Sequence, residues 1–340
     1  MSQAIPCFEW DVSRFFRSHA TFLKADKLVH MTSQTHDYPL IGAHQSIAGG
    51  LDKSVKRAVE TGCRCLQIFT RNINRWDTPA IDPVVAKAFR SAVEESGITN
   101  VIAHDSYLIN PASADENLRN KSIDGLVIEL ERAELLNIRW VVAHPGAAVN
   151  APAADALVRA ATGIREALER TSGMKAGILV ETTAGQGSCL GATFEEISEI
   201  LSRVDSPRVG TCLDTCHIFA AGYPLWPPER FDETFDTFDR LVGFDSLVAL
   251  HMNDSKRECG SRVDRHEGIG NGKIGSEAFG LIVNHPQLSR IPMYLETPKE
   301  DASGKVSAAC DRDNITCLMS LREPRSLKTQ RSTQTKRTTA

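Results

Sequence analysis

The chain has 340 residues, 41% hydrophobic and 24% charged, with a formal net charge of −4. That is enough apolar material for a large core without disulfide staples, and no apolar run reaches the ~20 residues of a transmembrane helix. The negative balance is not that of a typical nucleic-acid binder, and nine cysteines without one Cys-x-x-Cys pair argue against a thiolate zinc finger and for reduced thiols in an intracellular protein.

Residues 1–38 precede the first predicted strand and form an N-terminal extension. They mix Arg14, Arg17, Lys24 and Lys27 with Glu9, Asp11 and Asp26. The segment has neither the apolar core of a secretory signal nor the acid-poor character of a transit peptide. From Pro39 onward, short runs rich in Val, Ile and Leu alternate with longer periodic stretches. The predicted strands are Pro39–Ala43, Cys65–Phe69, Val101–Ala103, Trp140–Ala143, Gly177–Val180, Val209–Leu213, Leu247–Leu250 and Pro292–Leu295. Helical periodicity is clearest over Leu51–Thr61, Ile123–Leu136, Ala153–Thr171 and Phe194–Val204. Continuous apolar strands separated by helices indicate a parallel sheet covered on its faces. Eight such units predict a (β/α)8 TIM barrel, one domain over residues 39–323. The competing doubly wound sheet expects a glycine-rich phosphate loop after its first strand, and Ala48-Gly49-Gly50 is too slight for that. Residues 324–340 carry Arg325, Lys328, Arg331, Lys336 and Arg337 among Ser, Thr and Gln. They read as a basic, disordered tail, either inert or a DNA-contacting or nuclear-targeting segment. The tail favours a nuclear location, with mitochondrial and cytoplasmic locations left open.

Seven of the eight predicted strands end in a residue type that binds metals. His44 follows the first, His104 the third, His144 the fourth and Glu181 the fifth, then Asp214, His251 and Glu296 the last three. Strand C-termini of such a barrel converge on one mouth, where active sites sit. Carboxylates and imidazoles crowded there repel or desolvate badly without cations. Asp214-Thr-Cys-His217 adds a histidine one turn on, and Asp264-Arg-His266 adds a pair in the loop after His251. With His44 set aside, the pool is five imidazoles and four carboxylates, enough for two or three ions. Mixed ligands of this kind suit zinc, with manganese or iron as alternatives, and suit magnesium poorly. Two neighbouring metals clamp the attacking and leaving oxygens of a phosphoryl displacement. Three divalent ions add six charges to −4 and give +2, so the acidic balance does not exclude a nucleic-acid substrate.

The segments Ile41-Gly-Ala-His44, Ala48-Gly-Gly-Leu51, His104-Asp-Ser-Tyr-Leu-Ile-Asn110, His144-Pro-Gly146, Glu181-Thr-Thr-Ala-Gly-Gln-Gly187, Asp214-Thr-Cys-His-Ile-Phe-Ala-Ala-Gly-Tyr223, His251-Met-Asn-Asp254, Gly260-Ser-Arg-Val-Asp-Arg-His266 and Leu295-Glu-Thr-Pro298 resemble the endonuclease IV family of zinc-dependent DNA-repair nucleases. The resemblance runs from about Leu40 to Lys299 and weakens beyond. It implies a barrel holding three zinc ions, with manganese an alternative at one position. It implies incision of duplex DNA 5′ to abasic sites, leaving a 3′-OH, and trimming of blocked 3′ ends. His104 and His144 are then expected on a first zinc, Asp214, His251 and Glu296 on a second, Glu181 bridging the two as the catalytic residue, and His217, Asp264 and His266 on a third. The expected nucleophile is metal-bound hydroxide, and the working unit a monomer. Arg71, Asn74, Arg75, Tyr107, Leu108, Arg262 and Arg265 are expected at the DNA. The sequence departs from the family at Arg71-Asn-Ile-Asn-Arg75-Trp76, where Asn74 stands in place of the usual DNA-inserting arginine. Divalent-metal sugar isomerases share the barrel but use carboxylate-rich sites, and the five imidazoles argue against them. A non-catalytic, metal-bearing DNA-binding protein is the remaining alternative, and a lost ligand would signal it.

Overall fold

A computed structural model describes residues 39–300 and 304–323. The N-terminal extension, residues 1–38, and the basic tail, residues 324–340, lie outside the described residues, as do the expectations attached to them.

Eight strands close into a parallel barrel: β1 (Ile41–Gln45), β2 (Leu66–Phe69), β3 (Val101–His104), β4 (Trp140–Ala143), β5 (Gly177–Glu181), β6 (Val209–Asp214), β7 (Leu247–His251) and, after a two-stranded hairpin, β10 (Met293–Leu295). Each neighbours the next in chain order, and β10 pairs with β1, Ile41 opposite Met293. The hairpin joins β8 (Asp254–Ser255) to β9 (His266–Glu267). Outer helices are α1 (Leu51–Glu60), α2 (Pro83–Ser96), α3 (Glu116–Leu135), α4 (Ala153–Arg170), α5 (Phe194–Val204), α7 (Pro228–Leu241), α8 (Ser276–Asn284) and α9 (Ala308–Ser320), and a short α6 (Thr215–Ala221) follows β6 directly. No helix among the described residues is long and apolar enough to cross a membrane.

The predicted strands recur with small shifts. β1 runs on to Gln45, so His44 lies inside it, and β3, β5, β6 and β7 each include the ligand expected to follow them. Helix α3 begins at Glu116 rather than Ile123 because Asp115 caps it, accepting from the Leu118 N–H. Asp82 caps α2 in the same way, with Pro83 at its first position and Gly97 turning left-handed at its end, a pairing of start and stop signals that needs little apolar periodicity.

Side chains alternate along a strand, and this alternation builds the site. One face of every strand packs against the helices, through residues such as Ile68, Val141, Val180, Leu213 and Leu250. The other face fills the barrel with a separate buried layer: Cys65, Ile102, Val142, Leu179, Cys212, Ala249 and Tyr294. On β1 the matching position is Gly42, where a Cβ would stand 1.8 Å from the Cys65 carbonyl oxygen. Two residues beyond that layer, every strand presents a polar side chain: His44, Gln67, His104, His144, Glu181, Asp214, His251 and Glu296.

Candidate metal centre

Four groups of potential ligand atoms form at the mouth, each mutually within 4.8 Å, and three of them consist of imidazoles and carboxylates alone. In the first, His104 Nε2 and His144 Nε2 lie 3.2 and 3.0 Å from Glu181 Oε2. The second joins Glu181, Asp214, His251 and Glu296, with His251 Nδ1 2.8 Å from Glu181 Oε1 and 3.3 Å from Glu296 Oε2. In the third, Asp214, His217 and His266 come together, and Asp264 sits 3.2 Å from His217 Nε2 and 3.3 Å from His266 Nε2. Glu181 thus belongs to two groups. Asp214 also belongs to two, which the sequence did not indicate.

The local sequence explains these positions. Asp214 caps α6, its Oδ1 accepting from the His217 N–H, so the turn stacks His217 above it. Ser255 opposite His266 in the β8–β9 hairpin returns the third group's histidine to the mouth. Asp254, buried, accepts backbone N–H groups from Ser255, Gly270, Gly272 and Ile274 and so folds the glycine-rich stretch behind the hairpin. A Cβ at Gly272 would meet its Oδ1 at 2.4 Å.

Each imidazole of the set His104, His217 and His266 has its Nδ1 against a backbone carbonyl. His104 Nδ1 donates to the Asp105 carbonyl at 3.0 Å, His217 Nδ1 to the Thr182 carbonyl at 2.7 Å and His266 Nδ1 to the Glu296 carbonyl at 3.2 Å. The second nitrogen is thereby left to face the cluster, the usual arrangement behind a metal-bound histidine. His266 Nε2 is buried with no partner in hydrogen-bonding geometry, although Asp264 and Asp214 oxygens lie 3.3 and 3.7 Å away. An unpartnered nitrogen beside two carboxylates suits a shared cation. Five imidazoles with four carboxylates match zinc.

The groups polarise one another. Burial disfavours charge at His217, His251 and His266, yet their neighbours win. Asp214 and Asp264 hold His217 well above the ordinary histidine range and raise His266 to about 9. Cys212, Glu296 and Glu181 raise His251. Burial likewise opposes ionisation of Glu181, Glu296 and Asp264, but the facing histidines hold all three below the usual carboxylate range. Cys216 lies within reach of Asp264 and His266. Burial, then Asp214, pushes its thiol up to about 12.

Tyr107 stands 65% exposed at the mouth, its ring edge-on to Phe69, and Leu108 beside it is partly buried. A cavity of about 180 Å³ opens between Tyr107, Asn110, His144, Thr183 and Cys189. Asn74, Arg75, Arg262 and Arg265 are exposed. Arg262 has a left-handed backbone, φ 54°, a strained conformation of the kind that clusters at functional sites. The expectation for Arg71 is corrected. Its guanidinium is buried, pairing with Glu129 at 2.6 Å and donating to the Trp76 carbonyl. It shapes the 71–76 loop from inside. Sequence reasoning also missed Gln67 and Asn253. Asn253 donates to Asp214 Oδ2 and accepts from the Glu296 N–H. The eight described cysteines are all free.

A family model described as a xylose isomerase-like TIM barrel matches residues 55–315. Proteins described as probable endonuclease 4 from Chloroflexus aggregans and Trichlorobacter lovleyi are each 44% identical, over 83% of this chain and 98% and 99% of their own lengths. The crystal structure of endonuclease IV from Thermus thermophilus superposes with a TM-score of 0.72 at 36% identity, covering 83% of this chain and 98% of that one. A D-tagatose 3-epimerase-like protein, at TM-score 0.63 and 19% identity, shares the fold alone. By identity, coverage and structure together, the chain belongs to the endonuclease IV family.

Proposed function

We propose that the protein is a zinc-dependent nuclease that hydrolyses the phosphodiester 5′ to abasic sites in duplex DNA, leaves a 3′-OH, and trims blocked 3′ ends. The observation that carries this reading is the Glu181 carboxylate, one oxygen against His104 and His144 and the other against His251. One residue in two ligand groups makes those groups neighbours, the layout suited to in-line displacement at phosphorus. His104 and His144 hold the first ion, Asp214, His251 and Glu296 the second, and His217, Asp264 and His266 the third, with manganese an alternative at one position. When bound, the ions supply Lewis acidity and lower the pKa of water. The chain's part is to hold that array rigid through imidazole-to-carbonyl hydrogen bonds. Exposed Tyr107 with Leu108 fills the gap left by an extruded abasic nucleotide, and Arg75, Arg262 and Arg265 meet phosphates. All nine ligands come from one chain, which supports a monomeric working unit.

The test is a duplex oligonucleotide carrying one tetrahydrofuran abasic analogue, end-labelled, with zinc-loaded and chelated protein. A single cut on the 5′ side leaving a 3′-OH, lost on chelation and restored by zinc, is the expected result. Intact duplex under all conditions sinks the reading.

A further inference from the structure

We propose that Gln67 is a positioning residue of the second metal group, fixing the tautomer of His251 and the orientation of Glu296 with one amide; the inference rests on the metal reading above. Gln67 is buried at the mouth end of β2, opposite His44 in the strand register. Its Nε2 lies 2.5 Å from Glu296 Oε1 and 3.0 Å from His44 Nδ1, and its Oε1 lies 2.7 Å from His251 Nε2.

Chemistry decides which way the amide faces. Reversed, it would press an uncharged oxygen lone pair against a carboxylate oxygen at 2.5 Å. The NH2 must therefore face Glu296 and His44. Oε1 is left to accept, so His251 Nε2 carries a hydrogen, and a metal that displaced the proton Nδ1 donates to Glu181 would find its lone pair on Nδ1. Nδ1 faces Glu181 Oε1 and Glu296 Oε2 at 2.8 and 3.3 Å, the set that would hold the second ion. Both amide hydrogens and the carbonyl oxygen are engaged, and two of the four ligands in the group hang on one neutral side chain. His104, His217 and His266 get the same service from backbone carbonyls. His251 takes it from a side chain, so there a substitution can remove it. Neither carboxylate nor hydrocarbon can replace the amide: the first brings like charge against Glu296, the second neither donates nor accepts.

Gln67→Met keeps the length and packing, and Gln67→Glu keeps the shape. Zinc per full-length chain is measured by plasma mass spectrometry across a graded chelator series, beside the parent. The visible spectrum of cobalt-substituted protein and the melting of metal-free protein are read in parallel. Outer partners of metal-bound histidines contribute ~10–100-fold in affinity. One of the retained metals is expected to leave Gln67→Met at ~10–100-fold lower chelator, with a changed cobalt spectrum, and Gln67→Glu to be no better. Unchanged retention and spectrum in Gln67→Met overturn the proposal, as does lower metal-free melting with unchanged metal retention. A parent chain that binds no metal overturns the metal reading itself, and the parent series tells the two failures apart.

Discussion

Glu181 is fully buried with its oxygens divided between two ligand groups, so its charge matters more than its volume. Glu181→Gln is expected to lose turnover by several orders of magnitude while retaining binding to an abasic duplex, read by cleavage and gel shift side by side. Near-normal turnover would rule out the bridging role. Tyr107→Ala with Leu108→Ala is expected to weaken abasic-duplex binding with zinc content unchanged. Zinc loss or melting instead would make both residues packing groups. Most of the nine candidate ligands that the fold brings together could be picked out in the sequence because each ends an apolar run or sits one turn from such an end, and Asp264 and His266 because they stand as a pair in one loop. Gln67 was not, because its run continues to Phe69 and the residue of interest lies inside it. Counting two residues on from the barrel-filling layer finds it at once, since the period of 2 holds on every strand. Asn253 gives no such signal: its role depends on Asp214, far away in the chain.

Among the elements, the loop after β2 and the β8–β9 hairpin carry the departures from expectation. The loop's shape depends on Arg71, which shares Glu129 with Thr70, while Arg132 donates to Thr70 from the same helix α3. Breaking such a buried pair costs about 3–5 kcal/mol because one charge is left uncompensated. Arg71→Met is expected to lower stability to denaturant on that scale. Arg75→Ala, at an exposed position, is expected to change stability by less than about 0.5 kcal/mol and to weaken DNA binding. The reverse pattern would return Arg71 to the DNA surface. The sequence could not separate these two arginines, since both flank the same turn and only the fold shows which one meets a buried carboxylate. Helix starts marked by caps, as at Asp115 and Asp82, were likewise harder to place than the apolar stretches they precede.

Across the whole molecule, protons and metal compete for one site. Burial disfavours charge on His266, but Asp214 and Asp264 raise its pKa to about 9, above the ~6.5 of an unfolded histidine. The stability it contributes is complete below ~6.5 and is lost as pH rises through about 9. Asp264 is lowered from the ordinary carboxylate value; its contribution is present above ~4 and lost as pH falls through its folded value. Metal-free protein is therefore expected to melt highest between about pH 4 and 6.5 and progressively lower toward about 9. A zinc ion bound there would have to displace imidazole protons, so its stabilisation is expected to grow with pH over the same span. Melting with and without chelator from about pH 5 to 9 checks this, and parallel curves would refute it. The barrel itself was legible as eight alternating units. The register of the closing pair was not, because Ile41 opposite Met293 joins the two ends of the domain through residues with no special composition.

That closure makes the chemistry indivisible. Sever the chain between α4 and β5, and His104 and His144 stay with one fragment while Glu181 goes with the other. The second group remains whole in the C-terminal piece, yet β5 has lost β4 and β10 has lost β1, the neighbours that fix their register. Neither piece holds a complete first group, so a metal in that position would report that the two had found each other. The ring works as an internal lock whose key is assembled only when every stave is in place.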